Sequence, residues 1–423
     1  MKTKILLSIF IIATMQFILC NIKLSAREPE QKNKELKVCG YDDALEYQRK
    51  LDPGIDQRIK VFEETISNYL QKNPYPKTQG VVTIPVVFHI VWRVAAENLS
   101  DDCLKSQIDA MNRDFRKLNT DISIAPAQFQ AVAADCEFNF CLATKDPQGN
   151  STSGIVRKQT TVTQFTTDNK IKYNSSGGST TWGNTSYLNI WVGNLNSGGY
   201  SYQPCLYPAE IDGVALHYQY TGQSSNCTTM PLRKKGRTAV HEIGHYLGLK
   251  HTFEGGCAGN TASTCATEGD KICDTPPSSS SASACTQKNT CTETPTNNID
   301  MIWNYEDYTN DDCRVMFTAG QKAKMVASYN QCRTSLGNGA ATKCSTVEIN
   351  DISISDNISF YPNPSDGNIF MHVDLPNINS INVTIYNAIG EAILSKKIVV
   401  PVSKEIKLDM NNNPDGIYLI EVK

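Results

Sequence analysis

The window His241-Glu242-Ile243-Gly244-His245-Tyr246-Leu247-Gly248-Leu249-Lys250-His251 constrains this chain more than any other stretch of it. On a helix, positions four apart share a face, so His241 and His245 present their imidazoles to one point. Gly248 lacks a Cβ, which lets the chain leave the helix in a left-handed conformation and carry His251 round to the same point. Three protein ligands with an open fourth place suit a catalytic rather than a structural zinc ion. Glu242 projects beside the pair, where a carboxylate can take a proton from water and pass it to a leaving amine. The chain has six histidines, and three of them fall in this window. The bland alternative is a solvent-facing helix with incidental histidines. Against it, Leu232, Ala239 and Val240 before the motif and Leu247 and Leu249 after it predict a face turned to a core.

At 423 residues the chain exceeds the usual size of one domain. Lys2 and Lys4 precede an apolar run from Ile5 to Leu19, the pattern of an export signal, with cleavage predicted after Ala26. The run is shorter than the roughly 20 residues a spanning helix needs, so no transmembrane segment is expected in the mature protein. Cys20 offers a lipid-attachment alternative, which Leu19 before it fits poorly. Fifteen cysteines in an exported chain predict disulfides, and the odd number leaves at least one with a separate fate. A net charge of -3 and the lack of a basic patch interleaved with aromatics exclude nucleic acid as a partner.

Residues 27–79 are polar, with an amphipathic stretch from Ile55 to Leu70 and an exposed linker at Asn73-Pro74-Tyr75-Pro76-Lys77. The β-branched, aromatic run Val81 to Trp92 predicts a buried strand. Leu104, Ile108, Met111, Phe115 and Leu118 mark a helix, and strands are expected at 137–143, 187–195 and 212–220. From about 254 to 304 the chain is rich in Ser, Thr, Gly, Asp and Cys without periodicity. Thr318 is a predicted N-cap for a last helix. After Cys344 alternating runs such as Ile381-Asn382-Val383-Thr384-Ile385-Tyr386 predict a small all-β unit. The expected organisation is a signal peptide at 1–26, a pro-segment at 27–79, an α/β domain at 80–344 and a β-sandwich at 345–423.

The extended histidine motif, with Thr83-Ile84-Pro85-Val86-Val87-Phe88-His89, Gly154-Ile155-Val156-Arg157, Tyr187-Leu188-Asn189-Ile190-Trp191-Val192, Asp274-Thr275-Pro276 and Asn304-Tyr305-Glu306-Asp307-Tyr308, resembles the pappalysin family of metzincin metallopeptidases. The resemblance covers about residues 80–335. It implies a twisted sheet with helices over an irregular, disulfide-rich lower half, one catalytic zinc ion, and hydrolysis of extracellular proteins and peptides. It further implies that Tyr308 hydrogen-bonds the oxyanion and that Asp270 and Asp274 take part in calcium binding. Asp312, before Cys313, matches the acid at the base of the pocket that selects Arg or Lys after the cut. Cys257 is expected with Cys291 and Cys285 with Cys313. Cys39-Gly40 resembles the family's latency motif, in which a pro-segment thiolate fills the open zinc position, although Lys37 stands where the family has Arg.

One departure is conspicuous: Glu306 occupies the place of the Met-turn methionine. A carboxylate buried there is costly unless paired or protonated. It is the one feature favouring an alternative from another class, a catalytically silent binding or adhesin module that keeps zinc for structure. Tyr361-Pro362-Asn363-Pro364 with Gly367, Ile385-Tyr386-Asn387 with Gly390, and Gly416-Ile417-Tyr418 resemble the sorting domain of type IX secretion cargo. That implies the type IX machinery as a partner and the surface or surroundings of a Gram-negative bacterium as the destination.

Overall fold

Val82–Trp92 (β1) is the axis of the fold, and it is almost wholly buried. A parallel strand covered on both faces needs a continuous apolar run, which this segment supplies. Phe138–Leu142 (β2) and Ile155–Gln159 (β3) pair parallel with its first and second halves, and Leu188–Gly193 (β4) pairs parallel along its other edge. Gly199–Ser201 (β5) is the outermost strand, antiparallel to Val214–His217 (β6), which runs parallel to β4. The computed structural model describes residues 36–344, except 79 and 338–339, and residues 358–422, except 366, 374–379, 388–390, 402–404, 412 and 415. The expected leader with its cut after Ala26, Cys20, residues 27–35 and Gly390 lie outside the described residues.

Helices Tyr41–Leu51 (α1) and Ile55–Lys72 (α2) come first, then Asp101–Phe115 (α3), Arg237–Tyr246 (α4) and Ala319–Cys332 (α5). The main core joins β1, β4 and β6 to Leu104, Ile108 and Met111 of α3 and to Ala239, Val240 and Ile243 of α4. α5 opens as expected, with Thr318 Oγ1 accepting from Gln321 N. Two expectations need correction. Leu118 is off the helix and exposed, because α3 stops at Phe115 and Lys117 turns the chain at φ 52°. Leu232 is exposed as well, because the left-handed Gly236 at φ 74° delays the start of α4 to Arg237. The short strands β3 and β5 carry no apolar pattern that announced them; α1 was not expected either, although Tyr41, Ala44 and Leu45 line its buried face at helical spacing. The strand expected over 212–220 ends at His217, whose Nδ1 accepts from Gln219 N in a tight turn.

Below α4, residues 252–316 form loops and turns held by Cys257–Cys291, Cys265–Cys273 and Cys285–Cys313, the first and last being the expected pairs. Cys103–Cys227, Cys141–Cys344 and Cys205–Cys332 staple the rest, and Cys39 and Cys136 are free and buried. The C-terminal unit consists of Ile358–Tyr361 (β7), Asn368–Val373 (β8), Ser380–Tyr386 (β9), Ala392–Val399 (β10), Glu405–Asp409 (β11) and Leu419–Val422 (β12). They form two three-stranded antiparallel sheets, β11-β8-β7 and β10-β9-β12, around a core of their own. Among the described residues no helix is long and apolar enough to cross a membrane.

Candidate metal centre and cleft

α4 brings His241 and His245 to one point because its other face, Ala239, Val240 and Ile243, is anchored in the main core. Gly248, at φ 97°, turns the chain out of the helix and delivers His251 to the same place. Arg237 fixes the start of the helix: fully buried, it pairs with Asp114 at 3.1 Å and Asp121 at 2.8 Å. A cation is unfavourable at a helix N-terminus, and the two carboxylates offset it. Nothing in the sequence pattern marked Arg237.

The three histidines fit a metal ion. Nδ1 of His241 lies 2.8 Å from Tyr305 O, and Nδ1 of His245 lies 3.0 Å from Leu249 O. Donating there assigns the proton to Nδ1 and leaves each Nε2 lone pair bare, as metal-ligating histidines require. Nε2 of His245 and Nε2 of His251 are 3.1 Å apart, and Nε2 of His241 is buried with no partner. Burial pushes all three imidazoles down, His245 to about 4, so they stand neutral. The buried, unpartnered Nε2 of His241, facing nitrogens of His245 and His251, is satisfied when a cation is shared.

Cys39 Sγ lies 3.8 Å from His245 Nε2, and its sulfur and one nitrogen of each histidine all lie within 4.8 Å of one another. Among the described residues this is the one such cluster of His, Cys, Asp or Glu. The segment around Cys39 lies on the outer strand β5: Gly198 N donates to Lys37 O at 2.8 Å and Gly40 N donates to Gly199 O at 2.7 Å. Glycine is needed at this crossing, since a Cβ on Gly198 would strike Val38 O. Tyr41 then stacks on His245, ring centres 4.7 Å apart.

Glu242 is wholly buried beside the cluster, its Oε1 without a partner and its Oε2 3.3 Å from Ser201 Oγ. Burial pushes its carboxyl up to about 8, against the opposing influence of Cys39 and Ser201. Ser201 also donates to the Glu242 carbonyl at 2.6 Å, so β5 holds both ends of this residue. No motif or periodicity pointed to Ser201. Tyr308 OH is 3.1 Å from His251 Nε2.

Glu306 lies under the histidines, its Oε2 3.4 Å from His241 Nδ1 and 3.5 Å from His245 Nδ1. Neither oxygen has a well-formed hydrogen bond. Burial, then the charge of Glu242, push this carboxyl well above the usual range. Gly244 makes the room, because a Cβ there would collide with Glu306 Oε1. Met301 does not take over the missing place; it packs with Phe129, Val315 and Met316.

The other expected site residues lie apart from the histidine cluster. Asp270 is buried, accepting from Ile272 N and Thr275 Oγ1. Asp274 caps α5 through Thr318 Oγ1 at 2.6 Å and Gly320 N at 2.8 Å. Asp312 is half exposed and paired with Lys234 at 3.0 Å and Lys235 at 3.1 Å.

Residues 171–330 match the peptidase family described as pregnancy-associated plasma protein-A, and residues 359–423 match a secretion-system C-terminal sorting domain. An extracellular metalloprotease of Neurospora crassa is 36% identical over 152 residues, covering 34% of this chain and 49% of the relative. The chain thus spans about half the length of the curated relatives it matches first. One from Colletotrichum graminicola is 29% identical over 60% of this chain and 78% of its own. Among solved structures, a Tannerella forsythia promirolysin variant superposes with a TM-score of 0.62 at 32% identity, over 73% of this chain and all of that one. Mature mirolysin with a cleaved peptide gives 0.56 at 34%, over 62% and 98%.

Proposed function

Because this chain belongs to the pappalysin family of metallopeptidases and ends in a secretion sorting domain, we propose that it is a secreted zinc endopeptidase made as a latent precursor. The observation that carries this is the meeting of Cys39, His241, His245 and His251 beside a buried Glu242. His241, His245 and His251 would hold zinc, which when bound supplies a Lewis acid that polarises the scissile carbonyl. Glu242 accepts a proton from the attacking water and returns it to the departing amine. Tyr308 donates its hydroxyl hydrogen bond to the oxyanion of the tetrahedral intermediate. Strand β5 is an edge whose backbone groups pair with residues 37–40 in this structure; after residues 27–79 are removed, an extended substrate takes the same edge.

Latency follows from the same contacts. Cys39 blocks the open position with a sulfur donor while Lys37 to Gly40 cover the substrate edge. The boundaries 1–26, 27–79, 80–344 and 345–423 belong to this reading, with the tail addressing the chain to the type IX machinery. Calcium near Asp270 is supported by a cavity of about 10 Å3 lined by Glu254, Glu268, Asp270 and Thr275, oxygen donors suited to that ion. Asp274 would act there through the loop it ties to α5. An Arg or Lys preference after the cut is supported by Asp312: its pairs with Lys234 and Lys235 are exposed, worth about 0–1 kcal/mol, and a substrate cation can replace them. Cleavage before Lys77, exposed in the linker, would then free the enzyme.

Zinc content and gelatin digestion, each with and without chelator, test the reading. Zinc retained with no digestion by the processed chain would leave the silent binding module, which the buried Glu306 favours, as the better account.

A further inference from the structure

Helix α2 carries one acid into the body of the protein. Glu63 is 5% exposed, and its carboxylate meets Lys271 Nζ at 3.3 Å, Lys324 Nζ at 3.4 Å and Lys250 Nζ at 3.8 Å. Lys324 is itself 2% exposed, and its other partner is the Asp270 carbonyl at 3.2 Å. Burial would raise the Glu63 carboxyl, yet Lys324, Lys250 and Lys271 pull it down to about 2. Around this contact, Phe62 and Ile66 of α2 pack on Ala327 of α5. The lysines come from three separate places: the residue before His251, the loop at 271 and the middle of α5. Three ammonium groups converging on one carboxylate are a built anion site, and a buried ammonium left without its partner is costly.

We propose that Lys250, Lys271 and Lys324 form a carboxylate-binding site, closed in the precursor by Glu63 and opened when α2 leaves. Glu63 is then a second anchor of the N-terminal segment, independent of the Cys39 sulfur. Once vacated, the site takes the carboxylate of an acidic peptide, whether a substrate side chain or the released segment rebinding. The opening rests on the reading of residues 27–79 as a pro-segment; the anion site does not.

The full-length chain carrying Glu242→Ala, which cannot trim itself, gives the first test. Adding Glu63→Ala should make alkylation of Cys39 at least about tenfold faster, as expected when a buried ion pair loses one partner. Acetate should reverse this saturably, sodium chloride at equal ionic strength should not, and Lys324→Met should abolish the acetate effect. Acetate and chloride acting alike would overturn the site. Should the alanine variant fail to fold, Glu63→Gln keeps the shape without the charge, and a parent-like alkylation rate in it overturns the anchor. For the processed enzyme, calorimetry should show binding of tetraglutamate but not tetraglutamine, and no binding of either to the full-length chain. A synthetic peptide of residues 55–72 that outcompetes tetraglutamate identifies the released segment as the occupant, and one that does not identifies substrate acids. Equal heats for the two tetrapeptides refute the proposal. If the chain never trims itself, the acetate arm still decides the site while the latency reading fails.

Discussion

The sheet half and the loop half of the catalytic unit meet at the same three histidines but hold them by different physics. Above, β1, β4, β6, α3 and α4 share one apolar core, and His241, Glu242 and His245 take their positions from a helix packed on it. Below, residues 252–316 bury few apolar side chains and rely on three disulfides and on carboxylates tied to backbone and hydroxyls. Asp300 receives Thr290 and Ser278, and Asp307 receives Ala282 N. Asp311 pairs with the buried Arg314 at 2.7 Å. A helix on a core tolerates local change because many weak contacts share the load. A loop scaffold concentrates its stability in a few crosslinks and polar pairs, whose loss is felt at once. His251, Glu306 and Tyr308 sit on this second kind of support.

Removing chemistry from the sheet half should give the largest effect. Glu242→Ala should lower peptide hydrolysis about 10²–10⁴-fold while one zinc stays bound by metal analysis. His251→Ala should lose the metal instead, and an E242A enzyme with full activity would sink the assignment of the base. In the loop half, Tyr308→Phe should lower kcat by about 10²-fold with little change in KM, as for loss of an oxyanion donor. An equal fall in kcat and rise in KM would make Tyr308 a packing residue.

The next test concerns stability. Cys257→Ser with Cys291→Ser should cost about 2–4 kcal/mol, with faster hydrogen exchange confined to the loop half. Exchange spreading through β1 and β4 would show that the two halves are not separately supported. Glu306→Met, which replaces a buried carboxyl lacking good hydrogen bonds, should stabilise by about 1–3 kcal/mol in thermal melts. A lower melting temperature would mean that Glu306 is paired with the histidines strongly enough to repay its burial. The smallest effect is pH dependence at the seam with α2. The Glu63 carboxyl is depressed from 4.5 to about 2, so its stabilisation is complete above the ordinary value and is lost as pH falls through the lower one. Proteolysis of residues 36–77 should therefore quicken between about pH 5 and about pH 2 in the parent chain and much less in Glu63→Gln. Identical profiles would contradict this.

The histidine cluster is legible in the residues alone, because a helix repeat and one glycine translate His241, His245, Gly248 and His251 directly into geometry. So are β1, whose unbroken apolar run needs cover on both faces, the N-cap at Thr318, and the all-β tail. Cys257–Cys291 and Cys285–Cys313 were legible only through the family resemblance, since spacing alone leaves the partners open. Long-range meetings leave no periodic trace and are visible only in the folded chain. Arg237 reaches across to Asp114 and Asp121, Ser201 takes both ends of Glu242, and Glu63 enters the lysines at 250, 271 and 324. Glu306 is the sharpest case. Its position read as a costly substitution, but only the packed molecule shows that Gly244 yields the space and that burial raises the acid's pKa. Local pattern encodes which face a residue presents to its own helix or strand; what waits on the other side of that face is set by the rest of the chain.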